Sequence, residues 1–153
     1  MSKRFFFSGL AATCVNLLLH ATVYFLFLRS FYRSHPAGSE EFMKQLNRPA
    51  DQLVGWAMAV SALTMGFLIA TVMRWAGART FTHGLTYGAV LGVLFWASVN
   101  FGLYASAHVF SGASVFVDWA CSASVMTVSS AVAAWVLGGE RRDPGRAGAA
   151  HHA

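Results

Sequence analysis

Residues 84–108 have the sequence GLTYGAVLGVLFWASVNFGLYASAH, which contains no Asp, Glu, Lys or Arg. At about 1.5 Å per residue, a helix of this length crosses a hydrocarbon core of about 30 Å. Glycine recurs every four positions in the first half, at Gly84, Gly88 and Gly92. Polar and aromatic residues continue the same interval, at Trp96, Asn100, Tyr104 and His108. We predict a transmembrane helix that packs through glycine at one end and presents polar groups at the other.

Three further apolar runs are long enough to cross a bilayer, at residues 5–28, 53–73 and 115–137. Together the four runs predict an all-α fold, a four-transmembrane-helix bundle that occupies residues 1–139. Residues 140–153 are charged and rich in Gly and Ala without periodicity, so we expect a disordered cytoplasmic tail there.

The composition supports a membrane protein. Of the 153 residues, 56% are hydrophobic and 11% are charged, and the mean hydropathy is +0.52. A soluble domain carries about 25% charged residues. The net charge of +5 lies outside the apolar runs and forms no basic face with interleaved aromatic residues. We therefore expect the lipid bilayer, and no nucleic acid, as a partner.

Small residues follow one face of the second and fourth spans as well as the third. In the second span Gly55, Ala59, Ala62, Gly66 and Ala70 recur every three or four positions. Such faces allow close approach of helix backbones. The predicted helix-packing positions are Gly55, Gly66, Gly84, Gly88, Gly92 and Ala131.

Asp118 is the only acidic residue inside an apolar run. Ionisable groups at membrane depth are costly unless they are paired or hydrated, so they indicate a functional site. A polar cluster is geometrically possible in the half of the bundle away from the termini. Its candidate members are His20, Asn100, Tyr104, His108 and Asp118.

For two of these residues a structural role is the alternative to a role in a functional site. Asp118 follows Ser114 by four residues and is favoured as a cap or headgroup-level anchor of the fourth helix. Asn100 is favoured as a hydrogen-bonding cross-link between helices.

The sequence argues against a haem or metal centre. A bis-histidine haem needs two axial ligands at similar depth, whereas His20 and His108 differ by about nine residues, or about 13 Å. Neither HxxxH nor HExxH occurs, and Cys14 and Cys121 are isolated in apolar runs. We expect no metal and no cofactor.

Residues 88–104, GAVLGVLFWASVNFGLY, lead by a short connection to Val117, Asp118 and Trp119 at the start of the last span. This pattern resembles small bacterial four-helix integral membrane families of unknown function. The resemblance covers about 50 residues, and it implies four spans in a bacterial inner membrane without implying an activity.

Two functions follow from these features. The first is a multi-pass membrane protein that binds or passes a small solute, ion or lipid. The alternative is a non-catalytic assembly or accessory subunit that docks a membrane partner or another copy through its small-residue faces. An enzyme that uses His108 and Asp118 is the least favoured reading, so we expect a protein that is not an enzyme.

Basic residues predict the orientation. Seven lie on the side of both termini: Lys3, Arg4, Arg74, Arg79, Arg141, Arg142 and Arg146. Four lie on the other side: Arg29, Arg33, Lys44 and Arg48. The positive-inside rule therefore places both termini in the cytoplasm.

Reporter fusions test this orientation. A reporter that is active only in the cytoplasm should give signal when fused after Ala153, and no signal when inserted near Gly38. The reverse pattern in whole cells would contradict the orientation argued from the basic residues.

Overall fold

The computed structural model describes residues 3–46 and 48–139, and within these ranges every regular element is helical. The all-α prediction is confirmed, since four helices are long and apolar enough to span a membrane. The predicted disordered tail, residues 140–153, lies outside the described residues.

The first span is one continuous rod, Lys3–Ser34, with an irregular turn inside it. It consists of α1 (Lys3–Val23), a π-helical turn (Tyr24–Leu28) and α2 (Arg29–Ser34). In the π turn the amide of Arg29 donates to the carbonyl of Tyr24, five residues back. The rod therefore continues six residues beyond the predicted end at Leu28.

The remaining helices are α3 (Glu40–Leu46), α4 (Gly55–Trp75), α5 (Phe81–Ser106) and α6 (Gly112–Gly138), with a 3-10 turn at Ala50–Gln52. Ser39 caps α3, because the amide of Phe42 donates to its hydroxyl at 3.3 Å. The predicted third span ends too late, since helix α5 stops at Ser106. Ala107 is extended, with φ −149° and ψ 154°, so His108 lies in the connection to α6.

Helix α6 is the centre of the bundle and packs against α1, α4 and α5. The hydrophobic core lies toward the end of the bundle where α1 begins and α6 ends. Its largest fully buried members are Ile69, Met73, Met126 and Leu137. We call the opposite end, formed by α2, α3 and the α5–α6 connection, the polar end.

The glycines of α5 lie directly against α6. A Cβ atom built on Gly84 would lie 2.6 Å from the Cα of Ala131, and one on Gly92 would lie 2.7 Å from the carbonyl oxygen of Ala123. Gly88 meets Ser130 in the same way. Only a residue without a side chain allows the two backbones to approach this closely.

The small-residue face of α4 is used along only part of its length. Gly66 contacts Thr13 and Gly9 of α1, so this half of α4 packs closely. Gly55 differs from the prediction, because a Cβ atom there would have nothing within 4 Å. Ala59 is exposed as well, so α4 is unpartnered toward the polar end within the described chain.

The exposed surface has the character expected of a lipid-facing surface. Trp56 and Trp75 are 74% and 81% exposed and lie at the two ends of α4. Nineteen residues separate them, which corresponds to about 28 Å of helix rise. Tryptophan is enriched at both edges of a hydrocarbon core of about 30 Å. The structure therefore supports a multi-pass membrane protein.

Two substitutions in α5 test the glycine contact. Gly92→Leu should lower the free energy of unfolding by about 1–3 kcal/mol, because the new side chain separates α5 from α6. Gly102→Leu is the matched control, since Gly102 has nothing within 4 Å of its built Cβ position. Its effect should stay within about 0.5 kcal/mol. Thermal unfolding in a neutral detergent measures both, and equal losses would mean that the backbones do not meet at Gly92.

Candidate functional site

Asp118 joins three helices at the polar end. It lies on α6, where its Oδ1 accepts a hydrogen bond from the hydroxyl of Tyr32 on α2. Its Oδ2 accepts from the Nδ2 of Asn100 on α5 at 2.7 Å. We call these three residues the carboxylate triad.

Both oxygens of the Asp118 carboxylate are thus hydrogen-bonded to protein groups. Asn100 is 1% exposed, so its amide would be costly to leave without a partner. A carboxylate is also costly at membrane depth unless it is paired or hydrated. The triad meets both requirements at once and ties α2 and α5 to the central helix.

Tyr32 reaches Asp118 across the π turn. A π turn places an extra residue in one helical turn, which rotates everything after it by roughly 100° relative to an uninterrupted α-helix. The rotated face of the rod carries Arg29, Tyr32 and Arg33, at intervals of three and one residues. The π turn therefore sets which side chains of α2 face the rest of the polar end.

Asp118 does not cap α6, so that half of the cap-or-anchor interpretation is wrong, while its role as a headgroup-level anchor stays a prediction. The N-cap of α6 is Ser111, whose hydroxyl accepts from the amide of Ser114 at 3.2 Å. The Ser114 hydroxyl accepts in return from the amide of Ser111 at 2.7 Å, which completes a capping box. Ser111 also donates to the backbone carbonyl of His35 at 2.9 Å and holds the end of the rod against α6.

The structure brings together two of the five predicted cluster residues, Asn100 and Asp118. His20 lies elsewhere on α1, with its ring 5.8 Å from that of Trp96 and its Nδ1 3.0 Å from the carbonyl of Asn16. Tyr104 is 48% exposed. His108 is exposed on the connection, and the described residues offer it no hydrogen bond.

A large cleft opens beside the triad at the polar end. Its volume is about 1190 Å³, and it lies between the rod, α3 and the α5–α6 connection. Its polar lining includes Tyr32, His35, Glu40, Ser114 and three arginines, Arg29, Arg33 and Arg48. Its apolar wall includes Pro36, Met43, Leu46, Val109 and Phe110. We call this space the basic cleft.

The basic cleft carries uncompensated positive charge. Among the described residues, the one carboxylate that lines the cleft is Glu40, which forms an ion pair with Lys44 at 2.8 Å. The hydrogen bond from Lys44 holds the pKa of Glu40 below its usual value, so Glu40 stays ionised and paired. Within residues 3–46 and 48–139, the three arginines have no hydrogen bond or ion pair.

This arrangement suits the binding of an anion. A guanidinium presents a planar fork of N–H donors that matches carboxylate and phosphate oxygens. Among the described residues, no group of three or more His, Cys, Asp or Glu residues is placed to hold a metal ion.

Sequence reasoning missed the arginines and Tyr32. The sequence patterns identify Arg29 and Arg33 only as topology signals, because the predicted first span ends at Leu28. A signal was present in the sequence. No Gly or Pro interrupts residues 24–35, so the helical spacing of Arg29, Tyr32 and Arg33 could have been followed to Pro36.

Paired tyrosine substitutions test the carboxylate triad. Tyr32→Phe removes a hydrogen bond to a charged group and should lower the free energy of unfolding by about 1.5–3 kcal/mol. Tyr104→Phe makes the same chemical change on an exposed residue and should stay within about 0.5 kcal/mol. Thermal unfolding in a neutral detergent compares the two.

A double-mutant cycle with Asp118→Asn isolates the interaction between Tyr32 and Asp118. In the Asp118→Asn variant, Tyr32→Phe should lower the free energy of unfolding by less than it does in the wild type. The difference between the two losses is the coupling energy, which should be about 0.5–3 kcal/mol. Additive losses, or equal losses for the two tyrosines, would show that Tyr32 and Asp118 do not interact.

The chain matches no protein-family model, no curated protein and no solved structure. The resemblance to small four-helix bacterial membrane families stays an expectation from residues 88–104 and 117–119.

Proposed function

We propose that this protein is a multi-pass membrane protein that binds a small anionic ligand in the basic cleft. The proposal includes the predicted orientation, with both termini in the cytoplasm of a bacterial cell and the cleft on the outer side of the inner membrane. Binding is the function, and no chemical conversion of the ligand is implied.

The observation that carries the proposal is the charge of the cleft. Arg29, Arg33 and Arg48 line one space, while Glu40, the single lining carboxylate of the described chain, is already paired with Lys44. A bound carboxylate or phosphate would be attracted to this space and would satisfy several of the guanidinium N–H donors.

The size of the cleft is consistent with a ligand larger than a simple ion. Its volume of about 1190 Å³ exceeds the usual range of about 300–1,000 Å³ for small-molecule sites. Its apolar wall, which includes Met43, Leu46 and Phe110, would contact an uncharged part of the same ligand. The chemistry of the lining therefore favours an anion with an apolar portion.

A docking role is the second candidate. Gly84, Gly88, Gly92 and Gly66 are already occupied by contacts within the bundle. The observation that favours docking is the exposed start of α4, where Gly55 has nothing within 4 Å. Another copy or a membrane partner would use the face of Gly55 and Ala59. This face carries no charge or polar group that would select a partner, so ligand binding is the stronger proposal.

A thermal-shift titration of the full chain in a neutral detergent tests anion binding. Inorganic phosphate and citrate should raise the melting temperature of the wild-type protein at constant ionic strength, because a ligand that binds only the folded state stabilises it. Arg29→Gln combined with Arg33→Gln should weaken the apparent affinity at least tenfold, or by about 1.4 kcal/mol.

Lys3→Gln is the control, because Lys3 is an exposed cation at the opposite end of the bundle. It should leave the response to phosphate and citrate unchanged. A double arginine variant that responds like the wild type, or a wild type that responds no more to these anions than to chloride, would contradict the proposed function.

A further inference from the structure

We propose that the occupant of the basic cleft is an anionic phospholipid, with its phosphate held by the arginines and one acyl chain lying in a groove between α1 and α6. This inference rests on the proposed anion binding and adds the identity of the ligand. It arises from a second space, separate from the carboxylate triad and the basic cleft.

The second space is an apolar groove of about 360 Å³. Leu19 and Val23 of α1 form one wall, and four residues of α6 form most of the other: Ala120, Ser124, Val125 and Val128. Ser124 does not make the groove polar, since its hydroxyl donates to the carbonyl of Ala120 at 2.7 Å. The groove is thus suited to a hydrocarbon chain. We call it the seam groove.

The seam groove and the basic cleft lie along one face of α6. Ser114 lines the cleft, whereas Cys121, Val125 and Val128 line the groove. Intervals of seven, four and three residues keep these positions on the same side of a helix. On the rod, Val23 of the groove immediately precedes Tyr24 of the cleft. One ligand could therefore extend from the cleft into the groove.

The dimensions fit a lipid in one leaflet. From Ala120 to Val128 the groove follows nine residues of α6, and the eight steps between its ends correspond to about 12 Å of rise. One leaflet contributes about half of a hydrocarbon core of about 30 Å. The groove thus follows most of the depth that an acyl chain occupies, and it begins below the level of the arginines.

The charges of the lining determine where the phosphate of the ligand lies along this path. The long side chains of Arg29 and Arg33 can extend outward toward the headgroup level, as arginines near helix ends do. Asp118 lies between cleft and groove on α6, but both its oxygens accept hydrogen bonds, from Tyr32 and Asn100. Three arginines outnumber this carboxylate, so the phosphate is favoured at the arginines. A free phosphate would leave the apolar wall and the groove unused.

Lipid titrations of delipidated protein in a neutral detergent test the proposal, with native mass spectrometry to count bound lipids. Phosphatidylglycerol should bind the wild-type protein with one high-affinity site, and at least tenfold more tightly than phosphatidylcholine. Arg29→Gln combined with Arg33→Gln should weaken phosphatidylglycerol binding at least tenfold. Ala120→Phe should do the same, because the new ring fills the seam groove.

The matched control for the groove is Val90→Phe, which adds a similar ring to an exposed position on α5. It should leave phosphatidylglycerol affinity unchanged. If the arginine pair weakens binding of inorganic phosphate while Ala120→Phe leaves phosphatidylglycerol binding intact, the anion site stands and the lipid inference is wrong. If the arginine pair changes neither phosphate nor lipid binding, the proposed function fails as well.

A photo-crosslinking measurement on the wild-type protein avoids any dependence on the folding of variants. Phosphatidylglycerol with a diazirine in one acyl chain should label residues 19–23 and 120–128 above the level of Val90, Val93 and Leu94, which are exposed on α5. Excess unlabelled phosphatidylglycerol should remove the preference. Equal labelling of the two regions would overturn the inference.

Discussion

The backbone contact between α5 and α6 at Gly84, Gly88 and Gly92 is the constraint on which the remaining structure depends. Apolar burial cannot hold helices together in lipid, so close packing and hydrogen bonds have to do so. With α5 seated at this distance, α6 also contacts α1 and α4 and becomes the most buried helix. Asn100 then lies beside Asp118 because the same two helices continue together toward the polar end.

The two ends of the bundle are stabilised in different ways. One end is filled by apolar side chains such as Met73, Met126 and Leu137. The polar end is joined by hydrogen bonds, chiefly those of Asp118 and Ser111, and it surrounds the basic cleft. Dense packing would leave no room for a ligand. The division thus separates the densely packed end of the bundle from the end that contains the basic cleft.

Much of this fold could be predicted from the sequence, because apolar runs long enough to cross the hydrocarbon core of a bilayer leave few alternatives to helices. The pairing of Asn100 with Asp118 could also be predicted. The third and fourth helices are antiparallel with a short connection, so residues equally far from it face each other. Asn100 precedes the end of α5 at Ser106 by six residues, and Asp118 follows the start of α6 at Gly112 by six.

The remaining parts could not be predicted in this way. His108 left the site because α5 ends at Ser106, although neither Gly nor Pro marks that end. Tyr32 joined the site through the π turn, and the sequence YFLFL of residues 24–28 is uniformly apolar and shows no such irregularity. Helix ends and π turns depend on tertiary contacts between residues that are far apart in the sequence. Local sequence patterns do not show these contacts.

The π turn also makes the length of the first rod a determinant of the site. Shortening the segment between Val23 and Arg29 by one residue would restore regular α-helical geometry while leaving every side chain of α2 in the sequence. Those side chains would then point to another side of the bundle. The count of residues at Tyr24–Leu28 is therefore as informative as their identity. Two chains with the same arginines and tyrosine have comparable polar ends only if their alignment has no gap across this segment.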